Sequence, residues 1–207
     1  METEGLLFFQ NNIYFFLAAF AILGGGVKYI DDAFDERAFD KDKATLLAPV
    51  LGVLWGYTSL VNEVAATLLL AILLSVFFMG KIDNRAHQIG FVTVIALLLL
   101  AGMEVMLVPL ALLTLAGITD EIGNDKMDKL RKSVRFNGKV KKFFMHFFRY
   151  RSMMKVAVLI FTVVNAVPLY FLLAFLLWDL AYHAVGIYSR KISPKSTNLP
   201  DFSFLEP

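Results

Sequence analysis

Uncharged apolar runs alternate with short polar blocks along the whole chain, and the lengths of the runs limit what they can form. Positions 6–27 carry no charge; as a helix rising about 1.5 Å per residue they are long enough for a bilayer core of about 30 Å. Runs at 44–61 and 64–80 follow, separated only by Asn62 and Glu63, so the two must form a hairpin. The run at 89–118 holds a single charge, Glu104, and is too long for one comfortable crossing. It predicts two helices, 89–102 and 105–118, rather than one long helix kinked at Pro109. The last run, 156–182, contains Asn165 and Pro168 and is expected to be one span kinked at the proline. The pattern predicts an all-α, polytopic membrane helical bundle of about six transmembrane helices over 1–182, then a tail at 183–207.

Composition agrees with that pattern. Of 207 residues, 58% are hydrophobic and 18% charged, with a mean hydropathy of +0.65, whereas soluble domains carry about 25% charged residues. No Lys or Arg precedes position 28, so the first run is expected to be a retained span rather than a signal peptide. Gly24, Gly25 and Gly26 are expected to loosen its end. The absence of cysteine excludes disulfides, thiolate metal sites and a cysteine nucleophile.

The charges fall into blocks at 28–43, 81–88 and 119–155, which alternation of six spans places on one side. These blocks hold four, two and eleven Lys or Arg; the opposite set has only Arg190, Lys191 and Lys195. The positive-inside rule predicts that the three blocks are cytoplasmic. Basic residues interleave with Phe143, Phe144, Phe147 and Phe148. This predicts an amphipathic helix at 139–152 on an anionic membrane surface, with no nucleic acid as partner.

Candidate chemistry lies in the acidic stretch, with six Asp or Glu between positions 31 and 42. On a helix, Asp31, Asp32 and Asp35 are expected to share one face, with Lys28 one turn earlier on it. Carboxylates this close repel unless a cation joins them, and Mg²⁺ shared with a phosphate is a common solution. A charge run taken alone is more often a solvated loop. Here each acidic block adjoins cations: Lys28, then Lys81 and Arg85 beside Asp83, then Lys126 near Asp125. His87 follows Asp83 by one helical turn, within reach of a shared metal, and a surface pair is the competing reading. Asp32, Asp35 and Asp83 are expected to converge on one cavity.

The sequence Asp31-Asp32-Ala33-Phe34-Asp35, directly after an apolar helix, resembles the first motif of the UbiA superfamily of intramembrane prenyltransferases, N-D-x-x-D-x-x-x-D. Asp32 and Asp35 match its leading aspartates and Asp31 stands at its Asn. Its last aspartate falls on Phe39, with Asp40 displaced by one. Asp83-x-x-x-His87 is loosely similar to the second motif, with His for Asp. The resemblance implies Mg²⁺-dependent ionisation of an isoprenoid diphosphate and transfer of the prenyl group. Asp32, Asp35 and Asp83 would then hold the metal, with Asp31, His87 and Asp125 as further ligands. Lys28, Lys81 and Arg85 would contact phosphate, and Phe34 would face the allylic cation. A cation or solute transporter and a non-catalytic membrane subunit are the readings from other classes.

Overall fold

The computed structural model describes residues 12–132, 143, 147 and 151–193. Among them the chain is all-helical, with seven helices and no strand: α1 Ile13–Phe34, α2 Lys41–Val61, α3 Glu63–Phe78, α4 Arg85–Ala101, α5 Leu107–Lys132, α6 Ser152–Val163 and α7 Leu169–Ile192. Three of them, α1, α2 and α7, are long and apolar enough to cross a membrane; α3, α4 and α6 are apolar but shorter. Helix length alone therefore supports three crossings, against the six expected. The amphipathic helix expected at 139–152 falls almost wholly outside the described residues, as do the tail beyond 193 and positions 6–11.

Polar residues at the boundaries start most of the helices. Asn12 caps α1 by accepting from Phe15 N (3.2 Å), Asp40 caps α2 through Lys43 N (2.9 Å), and Asn84 caps α4 through His87 N (2.9 Å). Asn62 takes both Val64 N and Ala65 N at 2.9 and 3.1 Å, which allows α2 and α3 to meet at one residue. The run at 89–118 breaks where α4 stops against Gly102, whose φ of 69° is accessible to glycine at little cost. Pro109 lies in the first turn of α5, where its missing N–H has no helical partner to lose.

Three parallel helix pairs build the bundle. α1 runs beside α7, with Phe16 against Phe171 and Gly24 against Trp178. α2 runs beside α4, where Gly52 lets Thr93 and the Gly90 carbonyl approach to within 2.9 Å of the site a Cβ would fill. α3 runs beside α5, joined by Met106 N to Thr67 Oγ1 (3.0 Å) and Ser75 Oγ to Thr114 O (3.1 Å). Gly24 does not loosen α1, as its sequence suggested. It lies in an unbroken helix, and a side chain there would collide with the backbone carbonyl of Trp178. Close backbone approach of this kind is how small residues join helices in lipid.

The run at 156–182 is two helices, not one kinked span. Asn165 adopts a left-handed φ of 59°, and Ala166 N and Val167 N both donate to Phe161 O (2.9 and 3.1 Å), closing α6. Pro168 then starts α7. α6 has 12 residues, so it rises only about 18 Å before the chain turns back. As a result α7 returns to the end of the bundle where α1 finishes, and 183–192 is helix rather than tail. Arg190 and Lys191 thus move to that end, correcting the side assigned to them from sequence. Among the described residues every Lys and Arg then lies at one end of the bundle, and the turns at 62, 102–106 and 164–168 at the other carry only Glu63 and Glu104.

Candidate functional site

One helical step separates Asp31 from Asp32, and about 100° of rotation sends them to different neighbours. Asp32 is 3% exposed and points into the α1–α7 seam. Lys28 Nζ lies 2.9 Å from its Oδ1, and the Ser189 hydroxyl donates to its Oδ2. A buried carboxylate needs such partners, because desolvation otherwise outweighs what it gains. Asp31 faces the other way, accepting from the Tyr182 hydroxyl at 2.9 Å, with His87 Nε2 3.1 Å from its Oδ1.

On that side lies a cavity of about 320 Å³, within the size range of small-ligand sites. Its polar end is lined by Asp31, Asp35, Lys81, Asp83, His87, Glu121 and Arg151, and its apolar wall by Leu51, Trp55, Leu73, Val94 and Trp178. Every helix except α6 contributes. The separation of a charged mouth from an apolar interior follows from the fold: the charged loops converge at one end, and the helices behind them present mainly apolar side chains to the cavity.

The rim is organised by specific contacts. Asn84 Oδ1 is committed to the α4 cap, so its amide nitrogen must be the donor to His87 Nδ1 (2.9 Å). The other ring nitrogen, Nε2, faces Asp31. Lys81 sits between Asp125 (2.8 Å) and Glu121 (3.9 Å). Burial works to lower its pKa, and the Asp125 hydrogen bond with the charges of Asp125 and Glu121 outweighs that and raises it. Arg151 reaches Glu121 at 2.8 Å and lies over the Tyr182 ring at 5.4 Å. Its backbone is held at the start of α6 by Asp120, whose two oxygens accept from Met153 N (3.0 Å) and Met154 N (2.8 Å). A carboxylate from α5 therefore caps α6, the place where a helix has free N–H groups.

Asp35 ends α1 and lines the cavity together with Asp83. Its pKa is raised, first by burial and then by the neighbouring charges of Asp31 and Asp83. These two carboxylates sense each other across the mouth although 48 residues separate them in sequence. Among the described residues, no three His, Asp or Glu side chains are gathered so as to hold a metal ion by themselves.

The remaining candidates divide clearly. Lys28 belongs to the seam with Asp32, not to the cavity. Arg85 is exposed in the first turn of α4 and does not line the cavity. Phe34 lies under Lys41, 5.3 Å from its Nζ, also outside the lining. Asp125 touches the site only through Lys81. Sequence reasoning placed Glu121 and Arg151 only within charged blocks, without choosing either for the site, and passed over Tyr182 and both tryptophans. Arg151 was one of eleven basic residues in its block, with nothing to distinguish it. The tryptophans looked like ordinary span residues, although they are the only two in the chain. No protein-family model, curated protein or solved structure matches the chain.

Proposed function

We propose that the chain is a multi-pass membrane protein with its charged end toward the cytoplasm, and that its cavity takes an amphiphile bearing a phosphate or diphosphate. On that ligand it acts as a Mg²⁺-dependent transferase; prenyl transfer is the reaction implied by the resemblance at 31–35. The observation that carries this reading is the cavity itself, where paired cations and acids line the mouth and an uncharged, tryptophan-rich wall lies behind. A phosphate head and an isoprenoid or acyl chain match those two halves. Outward-facing Leu99 (80% exposed), Leu100 (85%) and Leu107 (73%) at the uncharged end suit contact with lipid, since water-soluble surfaces rarely carry such clusters. The positive-inside rule favours a cytoplasmic charged end now that Arg190 and Lys191 join it.

Asp35 and Asp83 fit a Mg²⁺ ion of the kind held by one or two carboxylates, retained waters and substrate phosphates. Burial, and after it repulsion from Asp31 and Asp83, raises the Asp35 pKa, and the repulsion is what such an ion would relieve. When bound, the ion would offset charge on a leaving diphosphate. Lys81 and Arg151 would hold the phosphate oxygens, and the apolar wall would exclude water from the chain end.

Transport has one observation in its favour. Lys155 and Asp179 form a 2.6 Å pair between α6 and α7, beside Arg151 and Tyr182, and ionisable groups inside a membrane bundle often serve transport. The deciding experiment incubates the purified protein in lipid nanodiscs with an isoprenoid diphosphate and a nucleophilic acceptor, such as a lipid alcohol or a phenol, and follows release of diphosphate with formation of the prenylated acceptor. The transferase reading expects release with Mg²⁺ and none with EDTA. Solute flux into liposomes without any diphosphate chemistry would replace it with the transport reading.

A further inference from the structure

We infer that the ligand's anionic head seats between Arg151 and Lys81, and that Glu121 occupies this seat as an internal stand-in which the ligand must displace. The inference rests on the reading that the cavity takes an anionic amphiphile, and it identifies what selects that ligand. Glu121 is 5% exposed and is bracketed by two cations, with Oε1 2.8 Å from Arg151 and Oε2 3.9 Å from Lys81. A carboxylate bridging two cations mimics two oxygens of a phosphate, the group that guanidinium forks recognise. All three side chains line the cavity, so an incoming anion meets the two cations where Glu121 already sits.

The surroundings allow the exchange. Arg151 has a left-handed φ of 47°, rare for a residue with a side chain, while its place in the chain is fixed by the Asp120 cap on α6. Strain of this kind concentrates at ligand clamps. The Tyr182 ring can retain the guanidinium when Glu121 leaves. A second cavity of about 40 Å³ lies behind Arg151 and Glu121, lined also by Ser75 and Lys155. It has room for about one water, or for a carboxylate that swings back toward the Lys155 ammonium, which Asp179 holds in place. Lys81 keeps its closer partner Asp125 throughout.

The consequence is a filter. A tethered carboxylate competes at an effective concentration on the order of millimolar or more. An inorganic anion has only its charge to set against that, whereas an amphiphile adds the burial of its chain along Trp55 and Trp178. Glu121 therefore determines specificity without touching the reacting atoms.

Calorimetric titration of the full chain in nanodiscs with inorganic pyrophosphate, in EDTA, tests this. Glu121→Gln should bind pyrophosphate about tenfold more tightly than the unmodified protein, and adding Arg151→Gln should abolish the gain. Asp125→Asn, at a side chain 40% exposed and safe for folding, should give about a threefold gain by freeing Lys81, which keeps the test open if Glu121→Gln fails to fold. No gain in either single variant, or a gain that survives Arg151→Gln, overturns the inference. An isoprenoid diphosphate titrated into the unmodified protein separates the two levels. If it binds while the variants gain nothing, the cavity reading stands and the role of Glu121 falls. If pyrophosphate tightens in the variants but the amphiphile never binds, the seat stands and the ligand class falls.

Discussion

Two groups of charges meet at the same end of the bundle, and adjacent aspartates belong to different ones. The α1–α7 seam buries Asp32 with Lys28 and Ser189 in a closed set where every partner is protein. The cavity rim holds Asp31, Asp35 and Asp83 with His87, Lys81, Glu121 and Arg151, around a space. The difference is what each group faces. In the seam, charge is matched and the gain is the joining of two helices. At the rim, Asp35 remains with a raised pKa next to like charges, which a structure built only for stability would avoid. An acidic run in a sequence thus mixes seam and cavity-lining carboxylates, and the rotation of the helix sorts them.

The comparison makes predictions that differ in size. Gly24→Leu should have the largest effect, about 3 kcal/mol or more, because the side chain meets the rigid backbone of Trp178 across the seam. Thermal unfolding in detergent would measure it, and an unchanged midpoint would mean α1 and α7 do not meet as described. Asp32→Ala comes next. It leaves Lys28 half-buried without its partner, and the cost should be about 2 kcal/mol, below the full price of a deeply buried pair because Lys28 retains some exposure. Asp31→Asn should cost about 1 kcal/mol, since Tyr182 can still donate to the amide oxygen.

Asp35→Asn reverses the sign. With its pKa raised above the ordinary 3.8, Asp35 holds its proton more tightly in the folded protein than in the unfolded chain. Folding is therefore disfavoured as pH rises from that value through the raised one, and the penalty is fully present at neutral pH. Removing the charge should stabilise the ligand-free protein by a few tenths of a kcal/mol near pH 7, an amount kept small by solvent screening. The gain should vanish below about pH 4. Unfolding midpoints across pH for the two proteins would show it, and a loss of stability at neutral pH would place Asp35 with the seam.

Much of the fold was legible because it depends on local chemistry. Asn62 forced a hairpin by brevity, Gly102 broke a run too long to remain one helix, and segregated charge indicated a polar end. The hairpin at 164–168 was misread as a kink. Asn in a left-handed turn followed by proline is a stop and a restart, but within an apolar run it looks like a bend that neighbours would tolerate. Similarly, α5 continues through the charged positions to Lys132, where a loop was expected from 119, because that stretch holds no proline. The site was legible in part. Asp35, Asp83 and Lys81 could be chosen because they flank span ends. The destination of Asp32 was not, since it depends on where α7 packs, which no spacing within α1 encodes. Glu121 and Arg151 were invisible for the same reason: their pairing joins two distant segments.

The central claim is that this cavity receives an amphiphilic diphosphate, and the chain carries its own reporter. Its only two tryptophans, Trp55 and Trp178, stand 5.2 Å apart in a T-shaped pair in the cavity wall. Intrinsic tryptophan fluorescence during titration with an isoprenoid diphosphate and Mg²⁺ should shift and saturate. The shift should be lost in Asp35→Asn and Asp83→Asn, and it should persist in Arg85→Gln, whose side chain lies outside the lining. A saturating signal that ignores Mg²⁺ and both aspartates, or no change at any concentration, would contradict the account.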